Sequence, residues 1–312
     1  MSKFTKFLMG TALAAVMVVP AAAKDLERIG VSVALLGNPF FVATVKGIED
    51  RAKAINPNVQ VTAVSADYDL NKQVSQIDSF IAAGVDIIML NAVDASAIAP
   101  AVKKAQAAGI IVASFDVSAP GSDVTVMTNN VKAGEEACQY IVDQLKGKGN
   151  VLILNGPQVS SIIDRVKGCQ DVLAKSPDIK VLSSDQNAQG SREGGLSVMQ
   201  GLLTRFDKVD AVFAINDPTA IGAELASKQL GRSEFFITSV DGAPDIEQAL
   251  STGKSMIKAS ASQDPYTMSG QALELGVKAL NGEKPAEPTV LLDPQLITNE
   301  NVKDYKGWTA AR

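Results

Sequence analysis

The sequence predicts an α/β protein of two doubly wound parallel-sheet lobes. Short β-branched runs alternate with amphipathic helical runs along most of the chain, the pattern of parallel sheets covered on both faces. The alternation breaks at Ser118-Ala119-Pro120-Gly121-Ser122 and restarts as a second series of similar length. One Asn and one Asp recur at equal spacing in both series: Asn91 with Asp116, then Asn216 with Asp241.

In the first series, strands are expected at 29–35, 59–64, 87–90 and 111–115, with helices at 40–55, 70–83 and 98–108. A strand at 124–128 follows the break. The second series reads as strands 151–154, 181–183, 211–214, 235–238 and 256–259, with helices 131–145, 162–174, 193–203, 220–229 and 246–251. A last helix at 266–280 leads into an irregular tail.

Leu36-Gly37-Asn38-Pro39-Phe40-Phe41 joins the first strand to the first helix. Gly37 permits a sharp turn, and Pro39 suits a helical first turn. Phe40 and Phe41 are either two core rings, or one core ring and one ring facing a cleft beside the Asn38 amide. An apolar face next to an amide is complementary to a carbohydrate, which carries C–H bonds on one side and hydroxyls around its edge. The two Asn/Asp pairs fall at the carboxyl ends of neighbouring strands, the edge where open α/β sheets bind ligands. Helix capping is the competing explanation, and Asp94 and Asp217 are expected to cap. Asp116 precedes no helix.

Composition bounds the chemistry. The chain has 312 residues, 46% hydrophobic and 20% charged, with room for two domains. A net charge of −5 argues against a nucleic-acid partner. There is no histidine, which excludes Ser-His-Asp, Cys-His and His-metal sites. No phosphate-binding Gly-x-x-x-x-Gly-Lys-[Ser/Thr] loop occurs, and the aspartates are too dispersed for a calcium loop. No cofactor is expected. Residues 1–23 read as a secretory signal peptide: Lys3 and Lys6, an apolar run at 7–19, and Ala21-Ala22-Ala23 before a cut at Lys24. The alternative is a retained membrane anchor, for which the run is short. Cys138 and Cys169 are an even pair in an exported chain, which favours a disulfide over two buried thiols.

From residue 24 to about residue 296 the chain resembles the periplasmic ribose- and galactose-binding family. The matching segments are Asn38-Pro39-Phe40-Phe41, Leu90-Asn91, Phe115-Asp116, Asp164-Arg165 with Gly168, Asn216-Asp217, Val240-Asp241-Gly242-Ala243-Pro244-Asp245 and Ala261-Ser262-Gln263. The resemblance implies the type I periplasmic binding protein fold, with three hinge crossings near Thr128, Gln263 and Leu292. The lobes would be 24–128 with 264–292, and 129–263 with 293–312. It implies a monosaccharide, pentose-sized, or a polyol in the cleft, and no bond made or broken. Asn38, Asn91, Asp116, Arg165, Asn216, Asp241 and Gln263 would read hydroxyls, and Phe40 and Phe41 would stack on the ring. A monomer in the periplasm would hand its ligand to a membrane ABC permease, and a chemoreceptor could read the same closed form. The alternatives are a sensor for a sugar-like signal and a sugar enzyme using Asp116 and Asp241 as acid and base. The fold also serves repressors, but the N-terminus carries no helix-turn-helix.

Two positions depart from the ribose-binding pattern. Val117 stands where an arginine follows the first aspartate, and Gln189-Gly190 stands where the second lobe carries an aromatic. These changes make a pocket less tailored to a flat pyranose. Trp308 is expected to pack rather than stack on a ligand.

Overall fold

The computed structural model describes residues 25–283 and 285–308. The signal-peptide reading of residues 1–23 and its cut before Lys24 lie outside the described residues, as do residues 309–312. The first series folds as β1 (Arg28–Val33), α1 (Pro39–Ile55), β2 (Gln60–Ser65), α2 (Leu70–Ala83), β3 (Ile87–Leu90), α3 (Ala99–Ala107), β4 (Ile111–Phe115) and β5 (Val124–Thr128). The second gives α4 (Asn130–Leu145), β6 (Lys148–Leu154), α5 (Ser160–Leu173), β7 (Asp178–Ser183), α6 (Arg192–Arg205), β8 (Ala211–Ala214), α7 (Asp217–Gln229), β9 (Phe236–Asp241), α8 (Pro244–Thr252) and β10 (Ile257–Ser262). The chain then runs through α9 (Pro265–Leu280), β11 (Thr289–Leu292), β12 (Gln295–Thr298) and a 3₁₀ turn, Val302–Asp304.

Two six-stranded sheets result, ordered β11-β5-β4-β3-β1-β2 and β12-β10-β9-β8-β6-β7. Every ladder is parallel except β10 with β12. The central strands β3, β5 and β8 are buried at every residue because helices cover both faces. Helices start where a polar side chain accepts from the first turn: Asn38 for α1, Asp69 for α2, Asn129 for α4, Ser191 for α6, Asn216 for α7 and Asp264 for α9.

Strands β6 and β7 begin three residues earlier than expected, and larger departures lie in two places. The tail is not irregular: β11 extends the first sheet and β12 the second, each covering a strand edge that would otherwise be open. Both strands have only four residues, too few for periodicity to register. Strands β9 and β10 also run past their apolar stretches, through Ser239, Asp241, Ser260 and Ser262. Ser239 and Ser260 hydroxyls both donate to Asp217 Oδ1, so these polar residues are satisfied inside the sheet.

Helices α4 and α5 pack without room for side chains at their crossing. A Cβ on Gly134 would collide with the carbonyl of Arg165, and one on Gly168 with that of Val131. Cys138 and Cys169 lie on these helices with sulfurs 1.99 Å apart and Cα atoms 5.0 Å apart. No helix among the described residues is long and apolar enough to cross a membrane.

Candidate functional site

All nine residues singled out in the sequence line one cavity between the two sheets: Asn38, Phe40, Phe41, Asn91, Asp116, Arg165, Asn216, Asp241 and Gln263. Strand ends deliver most of them. Asn91 follows β3, Asp116 follows β4, Asn216 lies just beyond β8, Asp241 ends β9 and Gln263 follows β10. Asn38 caps α1 through Phe40 N, and Arg165 projects from α5. Asp116 and Asp241 take φ values of 66° and 137°, a region that side chains with a Cβ rarely occupy. Strain of this kind is concentrated at functional sites.

The polar side chains form a closed ring at the hinge. Thr128 Oγ1 donates to Gln263 Oε1 (2.8 Å), and Gln263 Nε2 donates to Asp241 Oδ1 (2.7 Å). Arg165 Nη1 donates to the same oxygen (3.2 Å) and to Ile215 O (2.9 Å). Arg165 Nε donates to Asn130 Oδ1 (2.8 Å), and Asn130 Nδ2 returns to Thr128 O (2.9 Å). Arg165 is 4% exposed and Asp241 3%, so the pair is fully desolvated and held by neutral donors and acceptors on each side. The ring joins two of the segments that link the sheets, at 128–130 and at 263.

Asp116 is held differently. Its Oδ2 accepts from Asn91 Nδ2 at 2.8 Å, while Asn91 Oδ1 accepts from Ala34 N. Burial pushes the Asp116 carboxyl up to about 6, against the opposing pull of the Arg165 guanidinium and the Asn91 amide. Burial also raises Asp241, with Arg165 the main opposing influence. The echo between the two halves therefore places the four side chains alike but bonds them unlike. Asn216 donates not to Asp241 but to Gly190 O (3.0 Å), and caps α7 through Thr219 N.

Asp217 does not cap, contrary to expectation, because Asn216 already does so. Its carboxylate is fully buried and accepts from Ser239, Ser260 and Ala243 N, tying α7 to β9, β10 and the turn before α8. Asp94 does accept from Ser96 N and Ala97 N, in a turn one residue short of α3's own cap, Ile98.

Both phenylalanines are 4% exposed and meet edge to face at 5.3 Å. Trp308 lies against Phe40 at 5.9 Å and donates from Nε1 to Gln263 O, a packing role. Val117 is buried in the apolar cluster with Val159 and Ile162 and does not line the cavity.

Tyr68 is a cavity residue that sequence reasoning missed. It follows β2 in a left-handed pair with Asp67, at φ 55° and 53°. Its hydroxyl lies 3.8 Å from where a Cβ on Gly190 would be, so it reaches across to the place of the missing second-lobe aromatic. Burial, then the nearby Asp116 charge, raises its phenol. An aromatic at the carboxyl end of a strand was the available signal.

The cavity measures about 40 Å³, room for about one water, whose share of liquid volume is ~30 Å³. The sheets are drawn together beside it: Ser118 N donates to Ser160 Oγ at 2.8 Å across the gap. A cleft of about 490 Å³ adjoins it, sharing Asn38 and Asp241 in its walls. A molecule much larger than water does not fit the inner cavity unless the lobes part, a hinge motion open to two-lobe folds.

Comparison with known proteins agrees with this geometry. Residues 29–284 match the family model described as a periplasmic binding protein domain. The chain is 36% identical over 259 residues to the ribose import binding protein of Bacillus subtilis, covering 82% of each chain. It is 37% identical over 237 residues to the xylitol-binding protein of Mycolicibacterium smegmatis, covering 75% of this chain and 67% of that one. Among solved structures, the Caulobacter myo-inositol binding protein with bound myo-inositol superposes with a TM-score of 0.82 at 27% identity, covering 92% of this chain and 97% of the other.

Proposed function

The chain belongs to the periplasmic binding protein family, and from that premise we infer that its cavity takes a monosaccharide or polyol for delivery to an ABC importer. The observation that carries this reading is the convergence of strand-end amides and carboxylates with Arg165 on one cavity beside Phe40 and Phe41. Asp116, Asp241 and Arg165 supply charge-assisted hydrogen bonds to hydroxyls, and the rings supply apolar contact. A pentose-sized ligand fits the reading best, because the second-lobe aromatic is replaced by Gly190. The protein makes and breaks no bond. Asp241 is held by two side-chain donors, Gln263 and Arg165, which suits an orienting acceptor better than a proton carrier. It works as a monomer in the periplasm, its lobes being 24–128 with 264–292, and 129–263 with 293–312. The permease, and a chemoreceptor if one is present, reads the closed form.

A thermal-shift screen over pentoses, hexoses and polyols tests this reading. A true ligand at a hundred times its dissociation constant should add about 2.7 kcal/mol of stability. Calorimetry with that ligand should find Asp241→Ala weakened at least about tenfold, since losing a charged hydrogen-bond partner costs roughly 1.5–3 kcal/mol. Asp241→Asn should lose less. No shift with any member of the panel, or a folded Asp241→Ala that binds as well as the parent, overturns the assignment.

Export and the disulfide are read out together by intact mass. Protein recovered from the periplasm should begin at Lys24, and Cys138 and Cys169 should resist alkylation after denaturation without reductant. Full-length chain in the cytoplasm, or ready labelling of both cysteines, contradicts the respective claim.

A further inference from the structure

The cavity carries more negative charge than positive. Its lining holds two carboxylates, Asp116 and Asp241, and one cation, Arg165. Arg165 is shared: its Nη1 serves Asp241 and Ile215 O, its Nε serves Asn130, and its one charge offsets the burial of both aspartates. Asp116 is 6% exposed. Among the described residues its carboxylate accepts a single hydrogen bond, through Oδ2 from Asn91. The next residue along the chain, Val117, packs into the apolar core and offers no charge.

The groups facing Asp116 come from four other elements. They are Asn91 after β3, Arg165 on α5, Asp241 at the end of β9 and Tyr68 before α2. The one cation among them, Arg165, is hydrogen-bonded to Asp241 rather than to Asp116. Two buried carboxylates sharing one cation are costly, and a ligand that brings a second positive charge reduces that cost. The same walls carry the rings of Phe40, Phe41 and Tyr68, and aromatic faces attract ammonium groups.

We propose that the ligand is an amine-bearing sugar or polyol whose ammonium pairs with Asp116 in the ring-lined cavity. The proposal rests on the sugar- or polyol-binding reading above and narrows it. The ammonium supplies the second positive charge that the cavity lacks, and the hydroxyls fall to Asn38, Asn216, Asp241 and Arg165.

The test is a competition at pH 7. The mature protein is incubated with an equimolar mixture of ribose, xylitol and myo-inositol and one amino-deoxy counterpart of each. It is then desalted, and the retained compounds are identified by mass spectrometry after denaturation. An amine should be retained over its neutral counterpart by at least about tenfold, the range of a buried charge pair. Asp116→Asn, checked for folding by its melt, should bring that ratio close to one. Retention of a neutral compound equal to or above its amine overturns the inference and leaves the sugar-binding reading standing. A preference for the amine that survives Asp116→Asn overturns the pairing with Asp116. Retention of nothing overturns both the inference and the reading it rests on.

Discussion

Arg165→Ala should lower folding stability by about 3–5 kcal/mol, the cost of removing one partner from a buried ion pair, and should abolish ligand retention. The substitution opens the hinge ring at two bonds, those to Asp241 and Asn130, and takes the donor from Ile215 O. Gln263 is then the one side-chain donor left to Asp241, and both cavity carboxylates lose the cation that opposes their burial. Because Asn130 is itself fastened to Thr128, and Gln263 to Thr128, the loss is felt in the segments between the sheets as well as in the cavity. Arg165→Lys separates charge from geometry. Lysine restores a cation but not a fork that reaches Asn130 and Asp241 together, so its stability should fall between parent and alanine. Urea unfolding of the three proteins decides the matter. An alanine variant within roughly 0.5 kcal/mol of the parent, the usual range for surface positions, would mean that the ring contributes nothing.

The alternation of apolar and helical runs was enough to read the two sheets, because central parallel strands are continuous apolar stretches. What periodicity could not register were the polar ends of β9 and β10 and the two tail strands. Ser239 and Ser260 sit in buried strands only because Asp217 accepts from both, and that partner lies far away in sequence. Strands β11 and β12 are four residues each and owe their existence to the edges of β5 and β10. The cavity was more legible than the fold's periphery. A strand-end Asn and Asp repeated at equal spacing pointed to Asn91, Asp116, Asn216 and Asp241 without any coordinates. Thr128 was legible as a hinge crossing, but its bond to Gln263 and the part of Asn130 stayed hidden, because only folding brings Gln263 and Arg165 to them. Asp217 was misread for a related reason: a carboxylate at a helix start looks like a cap until its neighbour, Asn216, is seen to cap instead.

The stability of the ligand-free protein should carry a pH dependence that belongs to Asp116. Its carboxyl is raised from an ordinary 3.8 to about 6, chiefly by burial. Between those values the folded protein keeps a proton that the unfolded chain has released. Folding is therefore favoured by this group below the unfolded value, and the advantage is lost as pH rises through the folded one. Two pKa units correspond to roughly 3 kcal/mol. Asp241 and Asp217 are raised as well and act in the same direction, whereas surface carboxylates such as Asp50 and Asp67 are lowered and act in the other. The contribution of Asp116 is isolated by difference: denaturant melts of the parent and of Asp116→Asn at intervals from pH 4 to pH 7. The parent should lose stability relative to the variant across that window, with most of the change complete near neutrality. A difference that stays flat with pH would mean that Asp116 is ionised throughout in the folded protein, already paired with a positive charge inside the cavity.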